Sequence, residues 1–306
     1  MVECLECHKQ FEDETTLHKH LRAHKISVGN YHQKFYPRYD KYDGSLIKFK
    51  TLDQYRSNEF NSKTNLNKWL ESVSVEERQK YITDFLSQRK QKKNLKYSLT
   101  QAELKTLMCP GMKYINDLFV GGYYQICDSL GFVNRFGRYK LEKDDFIDIS
   151  KKVIFRDTRE QKGLDFDLQT RNKCMDVGDY RLANCDIRVE RKSIPDIWGS
   201  LSGGYDRFKR EIDRAVEQDL YLIVLIESPL SELYQFPFRR QVYGKIKMSP
   251  EMPLHNMREI LKDYKNVQFV FVKDREDASR VIEKIFSAGD NCRNVDLQYL
   301  VDIGGF

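Results

Sequence analysis

The 306 residues predict an α/β domain in the C-terminal half, preceded by a small metal-closed N-terminal module and an α-helical middle. Three observations carry this. Beyond Lys151, runs of β-type residues alternate with helical stretches. Within the first 24 residues, a Cys-x-x-Cys pair is answered by a His-x-x-x-His pair. Between these regions, apolar residues recur at helical spacing and are interrupted by Pro and Gly. The predicted organisation is a finger at 1–26, an aromatic and basic extension with a helix at 27–87, a helical region at 88–149, the α/β domain at 150–290 and a tail at 291–306.

Composition sets the class. Aromatic residues make up 12% of the chain, enough to furnish a substantial core. The longest strongly apolar run, Leu220–Ile226, is too short to span a bilayer, and the opening MVECLEC lacks a signal peptide's basic and apolar regions. The expectation is an intracellular protein without a membrane partner, from the cytoplasm of a bacterial or phage-infected cell or from a nucleus. Seven cysteines, scattered except for one close pair, argue for reduced thiols plus one metal site rather than a disulfide framework. Residues 1–150 carry 25 Lys and Arg against 20 acids, and residues 151–306 carry 27 against 26. The basic bias of the first half suits a polyanionic partner such as nucleic acid.

Cys4, Cys7, His20 and His24 have the spacing of a tetrahedral zinc site, with two ligands on a turn and two on successive helical turns. Phe11 and Leu17 would supply its apolar core. The stretch resembles a two-cysteine, two-histidine zinc finger of ββα form. That resemblance places Asp13, Thr16 and Lys19 at the base-reading positions of a helix starting near Glu14. Because Asp13 and Glu14 are acidic, contact with protein stands beside contact with DNA as a role for the finger. The stretch from Asn30 to Tyr55 interleaves Tyr and Phe with Lys and Arg. It suits either stacking on bases or an extension packed on the finger.

Leu66–Leu86 predicts one helix, with Trp69, Val73, Tyr81, Phe85 and Leu86 on one face. The run Gln88–Lys96 reads as a basic hinge, either solvated or placed to touch a DNA backbone. From Ser98 onward, two helical patterns broken at Pro110-Gly111 and Gly121-Gly122 outline a helix-turn-helix-like unit. Its proline, mid-point glycine and Leu130-Gly131 ending are similar to the helical repeat found beside nuclease domains in homing endonucleases.

In the α/β half, KVIF, IRVE, YLIVLIE and VQFVFV predict strands, and 204–218, 253–264 and 276–286 predict helices. The stretch DIRVERKSIPD (186–196) places Ile187 and Val189 in a core and then sets three charges in a row. Residues two apart on a strand face the same side, so Glu190 and Lys192 share one face and Arg191 points to the other. With Asp179 at the end of a neighbouring β-like run, this gives two carboxylates for a hard divalent cation and an ammonium beside it. Such a set suits phosphodiester hydrolysis, in which a metal activates water and offsets phosphate charge.

FRDTRE (155–160), VGDYRL (177–182) and VERKSIPD (189–196), followed by GSLSGGYDRFKREI and LYLIVLIE, closely resemble the XPF-type nuclease domain, a branch of the restriction-endonuclease-like fold. The resemblance implies a central mixed sheet flanked by helices, and a DNA endonuclease using Mg (or Mn). Carried over, Asp179 and Glu190 ligate the metal, and Asp157 joins them directly or through water. Lys192 positions the attacking water, while Arg159 and Arg191 engage phosphate or support the carboxylates. Asp196 falls within the motif but also suits capping of the next helix with Ser193. Tyr205 and Arg207 either reach the DNA strand or decorate a helix surface.

Many relatives continue into tandem helix-hairpin-helix motifs, whereas VDIGGF reads as a tail. DNA affinity would then come from the finger, with zinc, and from the helical region. The partner is double-stranded DNA, and the resemblance raises a homodimer through the nuclease domain. A site-directed enzyme, homing-type or phage-type, is the leading expectation. A structure-specific flap or fork nuclease and a non-catalytic DNA-binding scaffold are its alternatives.

Overall fold

A computed structural model describes residues 1–237 and 249–306. These fall into two compact units, 1–82 with 107–110 and 83–106 with 111–306.

In the first unit, β1 (Val2–Glu3) and β2 (Gln10–Phe11) pair antiparallel and lead into α1 (Glu14–His20). Asp13 caps α1 by accepting from the Thr16 N–H at 2.7 Å. A 3₁₀ turn over Leu21–His24 then brings His24 round to His20. Leu17 is buried as expected, but Leu21 and Tyr31 share the core with it, while Phe11 only lies against it. Tyr31 belongs to α2 (Val28–Phe35), and its hydroxyl accepts from the Leu5 N–H at 2.8 Å. The extension therefore packs on the finger and enlarges a core too small to stand alone. Tyr36, Tyr39 and Tyr42 remain exposed.

Further along, α3 (Leu52–Ser57) buries Tyr55, and α4 (Lys63–Ser72) buries Leu66 and Leu70. The single helix expected over Leu66–Leu86 is two, because α5 (Val75–Lys93) starts afresh. Ser74 accepts from the Glu77 N–H and Glu77 accepts from the Ser74 N–H, both at 3.3 Å, a reciprocal cap that ends one helix and begins the next. The basic hinge expected at Gln88–Lys96 is likewise corrected. Its first six residues are the last turns of α5, and Lys90 donates to the Leu130 carbonyl at 2.7 Å.

In the second unit, α6 (Gln101–Thr106), α7 (Met112–Leu118) and α8 (Gly122–Ser129) replace the two expected helical patterns. Gly121 and Gly122, at φ 82° and 69°, make the tight turn between α7 and α8. The sheet follows: β3 (Val153–Arg156), β4 (Gln169–Asn172), β5 (Tyr180–Leu182), β6 (Ile187–Lys192), β7 (Tyr221–Ile226) and β8 (Val267–Phe271), in spatial order β4-β3-β5-β6-β7-β8. It is mixed: β5 runs antiparallel to both neighbours, whereas β6, β7 and β8 are parallel.

The intervening helices are α9 (Ile194–Ser200), α10 (Tyr205–Glu217), α11 (Leu230–Gln235), α12 (Glu251–Asp263), α13 (Arg275–Ala288) and α14 (Leu297–Asp302). Every residue of β7 is buried, and alternation sends them to two different cores. Tyr221, Ile223 and Leu225 join Ile187, Val189 and the α13 residues Val281, Ile282 and Ile285. Leu222, Val224 and Ile226 join Phe208 and Ile212 of α10 and Leu254 and Met257 of α12. A sheet covered on both faces accounts for the unbroken apolar run of β7.

The expected tail is part of this structure. Leu297, Leu300 and Phe306 are buried in the core that contains α13. The Gln298 side chain accepts from the Phe271 N–H at 2.7 Å, and Asp296 accepts from the Gln101 N–H at 2.7 Å. The helical region is tied to the sheet in the same unit rather than standing apart from it. No helix of the described residues is long and apolar enough to cross a membrane.

Candidate active site

The parity of β6 divides its charges as its pattern predicts. Ile187 and Val189 point into the core containing α13, so Arg191 lies on that side, and Glu190 and Lys192 face the other. Asp179 is brought alongside by the chain crossing from β5. Its N–H donates to the Val189 carbonyl at 2.8 Å, and its own carbonyl accepts from the Asp157 N–H at 2.8 Å. Gly178 makes this approach possible. Its φ is 75°, and a Cβ there would stand 3.1 Å from the Arg188 Cβ and 3.2 Å from the Val189 carbonyl oxygen.

Asp179, Glu190 and Lys192 line a cavity of about 270 Å³, together with Arg159, Asp176, Arg207, Phe208, Arg210, Glu211 and Arg214. Glu190 is only 7% exposed, and Lys192 Nζ donates to its Oε1 at 2.5 Å. Burial pushes the Asp179 carboxyl above the usual carboxylate range, although the Arg191 N–H donates to its Oδ2 at 2.8 Å. Burial likewise pushes Glu190 up, and the neighbouring charge of Asp179 adds to it. Two desolvated carboxyls that resist ionising together are suited to a divalent cation, whose charge would offset theirs. Their oxygen-only donor set fits a hard ion such as Mg²⁺.

The other expected site residues serve the pair from behind or from the rim. Asp157 is buried and does not line the cavity. Its Oδ1 accepts from the Arg159 N–H at 2.7 Å and from Arg159 Nε at 2.8 Å, and its Oδ2 accepts from the Met175 N–H at 2.7 Å. Burial would raise its pKa, but these hydrogen bonds hold it below the usual range. The Arg159 side chain reaches the cavity and is 69% exposed. Arg191 turns away: its guanidinium holds Glu160 at 2.9 and 3.0 Å and Glu227 at 2.8 Å. Ser193 caps α9 by accepting from the Asp196 N–H at 3.4 Å, and the Asp196 carboxylate accepts from Ser193 Oγ at 2.5 Å; Asp196 does not line the cavity. Tyr205 packs partly buried against the core beneath α10, while Arg207 is exposed on the cavity rim.

Sequence reasoning missed Asp176, Arg210, Glu211 and Arg214. For the arginines a signal was present. Arg207, Arg210 and Arg214 are three and four residues apart on a helix whose opposite face carries Phe208, Ile212 and Ala215. All three are exposed, and among the described residues none forms an ion pair.

In the finger, Cys7 Sγ lies 3.3 Å from His20 Nε2, Cys4 Sγ 3.7 Å from His24 Nε2, and the two imidazoles 3.0 Å apart. These four atoms converge as zinc ligands do. Thr16 and Lys19 are exposed, whereas the carboxylate of Asp13 is engaged as the helix cap.

Residues 151–285 match the family model of the ERCC4 domain. Among solved structures, the chain is similar to XPF from Aeropyrum pernix at 23% identity and a TM-score of 0.33, over 44% of this chain and 63% of that one. XPF from the same organism in complex with DNA is similar at 24% identity and a TM-score of 0.33, over 43% and 62%. The chain thus spans less than two thirds of the length of these structures. No curated protein matches it. The mixed six-stranded sheet with helices on both faces fits the restriction-endonuclease-like fold expected of that domain.

Proposed function

We propose that the chain is a metal-dependent DNA endonuclease whose chemistry resides in the ERCC4 domain. The observation that carries this reading is the pairing of buried Glu190 with half-buried Asp179, opening with Lys192 onto a cavity rimmed by arginines. Asp179 and Glu190 would hold the cation. When bound, it would lower the pKa of a water molecule and offset charge building on the phosphate. Lys192, fixed by Glu190, directs its remaining ammonium protons into the cavity, where they orient the attacking water. Arg159, Arg207, Arg210 and Arg214 bind the flanking phosphates. Asp157 holds Arg159 in place, and Arg191 braces the back of β6 through Glu160 and Glu227. Cys4, Cys7, His20 and His24 hold a structural zinc.

Within this function we favour cutting directed by DNA structure over cutting directed by sequence. A site-directed enzyme requires base-reading faces. On α8, Tyr123, Tyr124, Ile126 and Cys127 are buried, and the exposed Gln125, Asp128 and Ser129 offer no cation to a groove. Asp13 is similarly committed to its cap. The test is purified full-length chain with Mg²⁺ or Mn²⁺ on forks, flaps and random-sequence duplex, with Asp179→Ala as control. Metal-dependent cutting at junctions that Asp179→Ala abolishes is the expected result. Cutting at one sequence in every duplex would overturn the structure-directed reading, and equal cutting by Asp179→Ala would overturn the site.

A further inference from the structure

The finger's helix carries a second set of ligand atoms on a different face. Glu14 and His18 stand four apart on α1, so they lie one turn apart on the same side. His32, on α2, meets them there. His18 Nε2 and His32 Nε2 are 3.2 Å apart, and Glu14 Oε1 is 3.9 Å from the first and 3.8 Å from the second. All three atoms lie within 4.8 Å of one another. Two nitrogens bound to one tetrahedral zinc at the usual Zn–N length would be about 3.3 Å apart. The observed separation matches that, and it falls within the 3.0–3.7 Å spread of the neighbouring Cys and His ligand atoms.

The surroundings support a built site. The His32 side chain is 4% exposed, so its Nε2 is aimed at His18 and Glu14 from a fixed position. Arg56 holds Glu14, with Nη1 donating to Oε2 at 3.1 Å and Nη2 paired to Oε1. Ligating carboxylates are commonly oriented by such an outer partner. Without an ion, the two Nε2 atoms sustain a single hydrogen bond, and only when one ring is the tautomer with a bare Nε2.

We propose that Glu14, His18 and His32 form a second metal site for a zinc-class divalent cation, distinct from the Cys4-Cys7-His20-His24 cluster. Two imidazoles and one carboxylate form the donor set, which leaves a fourth position for water. The ion fastens α2 to α1, so the extension after residue 26 is part of the metal-dependent module. Neither ligand histidine belongs to the finger's own Cys and His pattern, which explains why ligand spacing alone does not reveal the site.

The test is zinc stoichiometry by mass spectrometry on the full chain after dialysis, in an Asp179→Asn background so that the acid pair takes up no zinc. Two zinc ions per chain are expected, falling to one in His18→Ala and in His32→Gln. Cobalt substitution provides the second measurement. His32→Gln should lose absorption from a site without thiolate and keep the sulfur-to-cobalt charge-transfer band of the cysteine site. Retention of that band shows that the finger is still folded in the variant. One zinc per chain in the parent, or an unchanged count in both histidine variants, would overturn the proposal.

Discussion

The cavity beside β6 and the ligand cluster of the finger both gather groups suited to a metal, but they gather them by different means. Asp179 and Glu190 are held by the sheet: by the Asp179 N–H on Val189, by the Arg191 N–H on Asp179, and by apolar cores on both sides of β6 and β7. The apolar cores on both faces stabilise this arrangement despite two desolvated acids. The finger has only Cys4, Leu17, Leu21 and Tyr31 in its buried core, and Cys7 is exposed. A core that small leaves the fold to be completed by metal–ligand bonds. The difference is between a sheet that holds its acids by its own packing and a module whose small core would need an ion to complete it.

Removing zinc should break the comparison most sharply. A strong chelator that spares Mg²⁺ should unfold residues 1–35, seen as lost amide protection in hydrogen exchange, while β6, β7 and β8 keep theirs. Loss of protection in both regions together would show that the sheet unit also depends on zinc.

Next in size is Leu300→Ala in the last helix. Leu300 is buried in the core beneath β7, so truncation should cost about 2–5 kcal/mol in denaturant unfolding. A loss near zero would return residues 291–306 to the status of a tail.

A third prediction concerns the cost of preforming the acid pair. Burial raises both carboxyls, so the metal-free folded state binds more protons than the unfolded state once the pH exceeds the ordinary carboxylate range. Stability from these groups is therefore fully present at acid pH and is lost as pH rises through their raised values. Glu190→Gln should flatten that decline. An unchanged pH dependence in calorimetry would indicate that Glu190 is not desolvated.

The smallest expected effect is at the rim. Arg210→Ala and Arg214→Ala should each reduce the slope of log affinity against log salt by about 1, without altering the preference between DNA structures. No change in slope for either would place the phosphates elsewhere.

The sheet's interior was legible in the sequence because β-branched runs and period-two alternation are local. YLIVLIE and IRVE became β7 and β6, and parity alone placed Glu190 and Lys192 opposite Arg191. The ends and joints were less legible. The reciprocal cap at Ser74 and Glu77 lies inside a window that reads as one helix by apolar periodicity. The burial of Leu297, Gln298, Tyr299 and Leu300 depends on Gln298 meeting β8 and Asp296 meeting Gln101, contacts across 27 and 195 positions. Asp157 is expected beside the pair, directly or through water, and motif position does not reveal that Arg159 and Met175 donate to its two oxygens. Arg207 was anticipated, and the spacing of Arg210 and Arg214 places them on its face, but that this face and Glu211 meet the acids depends on packing of α10 on the sheet.

The most direct test is Mn²⁺ binding and cleavage measured together on the full chain and on Asp179→Asn. The account predicts that the variant folds and still binds branched DNA, but takes up Mn²⁺ more weakly at the cavity and cuts about 10²–10³-fold more slowly. An Asp179→Asn protein that binds Mn²⁺ and cuts like the parent would contradict the assignment of the cavity as the nuclease centre.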